Sequence, residues 1–201
     1  MAKFGTPYRK DVESKSAYNK RYAARSLLES IDQPIASVKD YFGGAGIQVA
    51  ECQLMFSPDR VLIQEWDDLC IERLQERFGG DGSVEVRKMD FFIDPCDDWY
   101  DLSLMDANCF TKLQWERSGR LREAFTRVAG QTDWILLTDI ASAKLWLNYG
   151  SYGFEELPTV GEYLERMAET VLGPLGFQMV GFAGAREAMY SLHRRTELRG
   201  G

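Results

Sequence analysis

Asp40-Tyr41-Phe42-Gly43-Gly44-Ala45-Gly46 is the stretch on which the fold turns. It closes the run Ile35–Phe42, which reads as a strand, and precedes Ile47–Met55, which reads as a helix. Glycines at a strand-to-helix junction permit a tight turn and let a ligand come close to the backbone. A ligand held there lies outside the carboxyl ends of the strands, near the point where strand order reverses.

The same alternation runs outward in both directions. Upstream, Tyr18, Tyr22, Ala23, Leu27, Leu28 and Ile31 recur at helical spacing, and Asp32-Gln33-Pro34 ends that helix. Downstream, Arg60–Gln64 reads as a strand, Asp67–Phe78 as an amphipathic helix and Val84–Met89 as a strand. Tyr100–Met105 is the next strand, Leu113–Ala129 a helix, Trp134–Thr138 a buried strand and Val160–Leu172 a helix. Phe177–Phe182 and Ala188–His193 close the chain as strands with a connection too short for a parallel crossover, so they form an antiparallel hairpin. The expected fold is α/β: a Rossmann-like sheet of seven strands, mostly parallel with an antiparallel last strand, and helices on both faces.

Length and composition agree with one domain. The 201 residues, 45% hydrophobic and 27% charged, suffice for one well-buried core. Residues 1–14 read as a flexible basic arm and 15–201 as a single domain. No apolar run reaches the ~18 residues of a membrane helix, and the first residues lack a signal-peptide core. A cytoplasmic location is the default expectation. Four cysteines without a close pair, and a single histidine, leave a zinc site short of ligands, so no metal is expected. The net charge of −7 excludes bulk electrostatic coating of nucleic acid. Lysines and arginines nevertheless crowd the first residues, and His193-Arg194-Arg195 with Arg199 makes the tail basic. A local basic surface is compatible with docking to a polyanion, and a solvated helix face is the plainer alternative.

The glycine stretch is similar to the cofactor motif Asp-x-Phe-x-Gly-x-Gly of class I S-adenosylmethionine-dependent methyltransferases, with Asp40, Phe42, Gly44 and Gly46 at its specified positions and Gly43 within it. The form with Phe resembles that of enzymes acting on nucleic-acid amino groups. Glu65, at the end of the second strand, lies at the ~20-residue spacing expected of an acid that accepts hydrogen bonds from ribose hydroxyls, and Trp66 beside it is placed to cover an adenine face. In the alternative reading Glu65 only caps the helix at Asp67. After the third strand the resemblance assigns Asp90-Phe91 to the adenine, with Asp94 as a rival for the acid. Lys15 precedes the first strand where related enzymes carry a lysine near the methionine end of the cofactor.

The chemistry station follows the fourth strand. Amino-methyltransferases carry Asp/Asn-Pro-Pro-Tyr/Phe there, to hold the target amine and stack on an extruded base. This chain has Asp106-Ala107-Asn108-Cys109-Phe110, which keeps Asp106 and Phe110 but lacks both prolines and is one residue too long. Asp106, Asn108 and Phe110 are the candidate catalytic residues, and Asp106 also belongs to the candidate cofactor set. Asp-Ala-Asn-Cys is similar to the Asp-Ala-Pro-Cys of RNA C5-methyltransferases as well. Those enzymes need a further Thr-Cys, and Thr138-Asp139-Ile140 lacks the cysteine. Beyond it, Trp146–Phe154 combines aromatics with glycines suited to base contact or to covering the core or a partner's surface.

The resemblance implies S-adenosylmethionine as cofactor and a DNA or RNA substrate methylated on an exocyclic amine such as adenine N6. With no recognition domain, a protein partner could supply selectivity. The alternative is a methyltransferase-like protein that binds cofactor, nucleic acid or a partner without transferring methyl groups.

Overall fold

The computed structural model describes residues 15–44, 46–94, 98–105, 119–139, 153–156, 158–185 and 188–197. Seven strands form one sheet: β1 (Ser37–Asp40), β2 (Arg60–Glu65), β3 (Val84–Lys88), β4 (Tyr100–Met105), β5 (Thr132–Asp139), β6 (Phe177–Ala185) and β7 (Ala188–Arg195). Their order is β3-β2-β1-β4-β5-β7-β6. Pairs from β3 to β5 are parallel, and β7 runs antiparallel to both β5 and β6. The expected mixed sheet with its antiparallel last strand is therefore present. A bulge interrupts the β6–β7 ladder between Met179 and Gly181.

Helices cover both faces. α1 (Lys15–Leu28), α2 (Ile47–Phe56) and α3 (Asp68–Phe78) lie on one, and α4 (Leu121–Ala129) and α5 (Val160–Met167) on the other. The period-two alternation of the strands makes this division. Val38, Ile63, Leu102, Leu104, Trp134 and Leu192 join Leu28, Val49 and Leu74 in the first core. Tyr41, Met105, Ile135 and Leu137 join Phe125 and Leu164 in the second. Each such side chain contributes roughly 1.5–3 kcal/mol on full burial, so the two layers outweigh any single loop contact.

Several boundaries differ from the sequence reading. β1 is shorter than Ile35–Phe42, because Tyr41 and Phe42 already belong to the glycine turn. The helix expected over Leu113–Ala129 starts, among the described residues, at Leu121; Gly119 just before it has φ +72°, which a helix cannot accommodate. α5 is α-helical only to Met167, then widens to a π turn over Ala168–Leu172 and tightens to a 3₁₀ turn at Gly173–Leu175. A capping box between Thr159 and Glu162 opens α5. Among the described residues no helix is long and apolar enough to cross a membrane.

The connections set up the site. From β1 the chain steps through α2 to β2 and through α3 to β3, then returns past both strands to place β4 on the other side of β1. Strand order reverses between β1 and β4, and the crevice of such a sheet opens at the carboxyl ends of those strands. Unlike the first two crossovers, residues 89–99 between β3 and β4 contain no helix among those described.

Candidate functional site

The glycine turn rises from the carboxyl end of β1, and each glycine has a separate job. A Cβ on Gly43 would lie 2.3 Å from Ile63 Cγ2 and 2.8 Å from Leu74 Cδ1, so this glycine lets the turn settle onto β2 and α3. Gly46 caps the start of α2 at φ +64°, and a Cβ there would meet the Phe78 ring at 2.5 Å. Gly44, at φ +49°, is different: its Cβ direction meets nothing but the Phe42 carbonyl oxygen at 3.6 Å. Gly43 and Gly46 thus serve packing, and Gly44 is the position where the backbone stands open. Asp40 is buried, and its Oδ1 accepts the Phe42 N–H at 3.1 Å, shaping the turn from inside.

Glu65 ties this turn to the second strand. Its carboxylate, 6% exposed, accepts three backbone N–H groups: Gly44 at 3.0 Å, Trp66 at 2.8 Å and Asp67 at 3.1 Å. A carboxylate has about four acceptor positions, so one remains for a ligand hydroxyl beside the half-buried Gly44. The cap of α3 belongs instead to Asp67, which accepts the Cys70 N–H at 2.9 Å. That bond, backed by Arg73, holds the Asp67 carboxyl below its ordinary range. The plainer reading of Glu65 as a helix cap is therefore replaced by a different one, in which it clamps the glycine turn. Trp66 follows and is 69% exposed.

The third station is a compact turn after β3. Asp90 Oδ1 accepts the Phe92 N–H at 2.9 Å and the Ile93 N–H at 3.3 Å. Asp94 Oδ2 accepts the Asp90 N–H in return. The two rival acids therefore share one turn, with Asp90 at the strand end and exposed. Phe91 is buried beneath it, edge-on to Tyr41 with ring centres 5.4 Å apart and 5.3 Å from Phe42. An aromatic floor thus joins the turns after β1 and β3. Sequence reasoning missed two arginines that support it. Arg120 lies 3.8 Å over the Phe92 ring, Arg127 lies 5.6 Å from the Phe91 ring, and Arg127 also donates to the Asp94 carbonyl. Tyr41, in turn, donates its hydroxyl to Gln131 Oε1 at 2.8 Å.

Deeper in the sheet, Lys39 is fully buried, with Nζ 3.3 Å from Gln131 Oε1 and 4.2 Å over the Tyr41 ring. Gln48, at the start of α2, reaches Thr138 Oγ1 at the end of β5 at 3.4 Å. Cys52 is a buried free thiol, pushed up by burial and then by the Asp40 and Glu51 carboxylates. Cys70 is free and half-buried.

Asp106, Asn108 and Phe110, and most of Trp146–Phe154, lie outside the described residues. Lys15 is the first residue of α1, and its side chain also lies outside them. Of the basic residues read as a possible docking surface, His193 and Arg195 turn inward, Arg194 is half-buried, and Arg199 lies outside the described residues. His193 is buried in β7, and Arg195 donates to the Ala129 and Thr132 carbonyls against the Trp99 and Phe177 rings. In α1, Arg21 pairs with buried Glu51, and Arg25 with Glu29. Period-two alternation along β7 carried the signal for the tail: Ser191, His193 and Arg195 share one face of the strand.

No family model matches the sequence, and no curated protein resembles it closely in sequence. Solved structures do resemble it in fold. The N-methyltransferase NodS of Bradyrhizobium japonicum, in complex with S-adenosyl-L-homocysteine, superposes with a TM-score of 0.67 at 13% identity, over 95% of this chain and 92% of that one. A Pyrococcus horikoshii protein put forward as an RNA methyltransferase gives 0.58 at 15% identity, over 90% and 84%. The ribosomal protein L11 methylase of Lactobacillus delbrueckii gives 0.58 at 13%, over 87% and 77%. The seven-stranded sheet with its reversed last strand is the fold these methyltransferases share.

Proposed function

We propose that this protein is an S-adenosylmethionine-dependent methyltransferase that acts on DNA or RNA, at an exocyclic amine such as adenine N6. The observation that carries the cofactor assignment is the pairing of Gly44 with Glu65. A glycine in left-handed backbone, with open space above it, is held by a buried carboxylate that keeps one acceptor position for a hydroxyl. The described residues fit the adenosine part of the cofactor. Gly43, Gly44 and Gly46 let the backbone approach it, with Asp40 and Phe42 shaping their turn; Glu65 takes the ribose, Trp66 covers the adenine, and Asp90 and Phe91 receive its edge and face. The neighbour bound to S-adenosyl-L-homocysteine supports this reading through its shared fold.

When bound, the cofactor supplies an activated methyl carbon. The chain's part is to align an acceptor nitrogen with it. Asp106, just beyond β4 at the strand-order reversal, is the proposed acceptor for the amine. Its carboxylate favours the positive charge that develops on nitrogen. Phe110 is the proposed stacking face for the base, Asn108 a further polar contact, and Lys15 the proposed contact for the methionine end. Support for a nucleic-acid amine comes from the motif style and from neighbours described as an RNA methyltransferase and an N-methyltransferase.

The test is tritiated-methyl transfer to DNA, RNA and small-molecule pools, after calorimetry with S-adenosylmethionine. Asp106→Ala is expected to lower transfer by ~10²-fold or more while cofactor affinity changes little. Cofactor binding with no transfer to any pool overturns the catalytic reading in favour of a binding protein.

A further inference from the structure

The crossover from β3 to β4 has to hold an exposed acid at a fixed height above the sheet, yet it has no helix of its own among the described residues. The turn Asp90–Asp94 is closed by its own carboxylates, and such local bonds fix its shape but not its position. Phe91 seats the turn on Tyr41 and Phe42 from below, and α4 fixes its exit and its orientation. Arg127 donates to the Asp94 carbonyl, and the same guanidinium stands 5.6 Å from the Phe91 ring, within the ~6 Å reach of a cation–π contact. Arg120, one turn and more earlier, covers Phe92 at 3.8 Å. One arginine thus grips both ends of the turn: the carbonyl at its exit and the ring that follows Asp90 at its entry.

We propose that Arg127 is a positioning residue for purine recognition, holding the Asp90 carboxylate where it accepts the 6-amino group of the adenine. This rests on the cofactor reading given above. The fork of a guanidinium suits the task, since it donates in its plane and offers its flat face to an aromatic ring. Lysine has a donor but no such face. The consequence is selective. A turn displaced by loss of Arg127 still closes on itself and still packs Phe91 against Tyr41 and Phe42, so it keeps a purine floor. It loses the placement of one carboxylate oxygen, and with it the distinction between an amino group and an oxo group at purine C6.

The experiment compares 5′-methylthioadenosine with 5′-methylthioinosine by calorimetry on the full chain, as wild type, Arg127→Met and Arg127→Lys. The second ligand places a carbonyl acceptor where the first has an amino donor, which the Asp90 carboxylate opposes. Wild type is expected to favour the adenosine form by about tenfold or more, the scale of one hydrogen bond to a charged group. In Arg127→Met the preference falls close to one, with the inosine form bound about as before. Asp90→Asn combined with Arg127→Met gives no further loss of preference. An equal weakening of both ligands in Arg127→Met means a merely structural role and overturns the proposal. So does a wild type that binds the adenosine form without preferring it. A wild type that binds neither ligand overturns the cofactor reading itself. If Arg127→Met fails to fold, the preference measured on Arg127→Lys decides in the same way.

Discussion

Glu65 and Asp90 are both acids at the ends of neighbouring parallel strands, and their surroundings could hardly differ more. Glu65 is buried and gives three of its acceptor positions to backbone N–H groups of the chain. Asp90 is exposed and gives one oxygen to the two N–H groups of its own short turn. The first is part of the frame that any ligand meets; the second is a reader placed on that frame. A sequence motif gives both the same rank, but their energetics do not.

The largest break in this comparison comes from Glu65→Ala. It leaves three N–H groups short of their buried acceptor, at about 1–3 kcal/mol for each that water cannot reach. Stability in urea is expected to fall by about 3 kcal/mol, and S-adenosylmethionine binding to disappear from calorimetry. Unchanged stability would show that the turn holds without its clamp. Asp90→Asn, by contrast, is expected to leave stability within about 0.5 kcal/mol, as for other exposed positions, while weakening binding by about tenfold.

Two glycine substitutions sharpen the same division. Gly46→Ala puts a Cβ into the Phe78 ring and is expected to destabilise by about 1–3 kcal/mol, with partial recovery when Phe78→Leu makes room. Gly44→Val has open space but an adverse φ, at roughly 1–2 kcal/mol. Its main effect is expected in affinity, because the branched side chain stands where the ligand must approach. Equal stability losses with no loss of affinity at Gly44 would remove that position from the site.

The smallest effect is a chemical one. Burial first, and then the Glu65 and Asp67 carboxylates, push the Cys70 thiol up to about 11. Its reactive thiolate is therefore scarce at pH 8 and gains as pH rises toward that value. Alkylation of Cys70, followed by mass-spectrometric mapping, is expected to be slow at pH 8 in wild type. In Glu65→Gln, which removes a charge while keeping an acceptor, the thiol titrates lower and alkylation is expected to be a few-fold faster. No change would mean that the Glu65 charge does not reach α3.

What the sequence revealed follows the physics of each element. β4 was legible to the residue, since Tyr100–Met105 is an apolar run with turn signals on both sides. The closing hairpin was legible because its connection was too short for anything else. The start of α4 was not, because the apolar spacing runs through Gly119 and only its left-handed backbone reveals the break. The inward placement of His193 and Arg195 was not legible from the charge run, because burial there is decided by strand alternation across a sheet. Glu65 was placed rightly at the strand end, but its bonds to three N–H groups depend on how the turn folds back, which spacing does not encode. Arg127 sits in the last turn of an amphipathic helix, where a basic residue satisfies the helix dipole and attracts no notice.

Lys39 carries one further consequence. Its amine is sealed between Gln131 and the Tyr41 ring in the middle of the parallel sheet, beyond the reach of any acylating reagent while β1 stays paired. Exposed lysines label on the time scale of the reagent, whereas this one labels only as often as the sheet comes apart. A pulse of anhydride followed by peptide mapping thus turns a single amino group into a clock for opening of the central strand. Any ligand that binds the folded chain slows that clock in proportion to its occupancy.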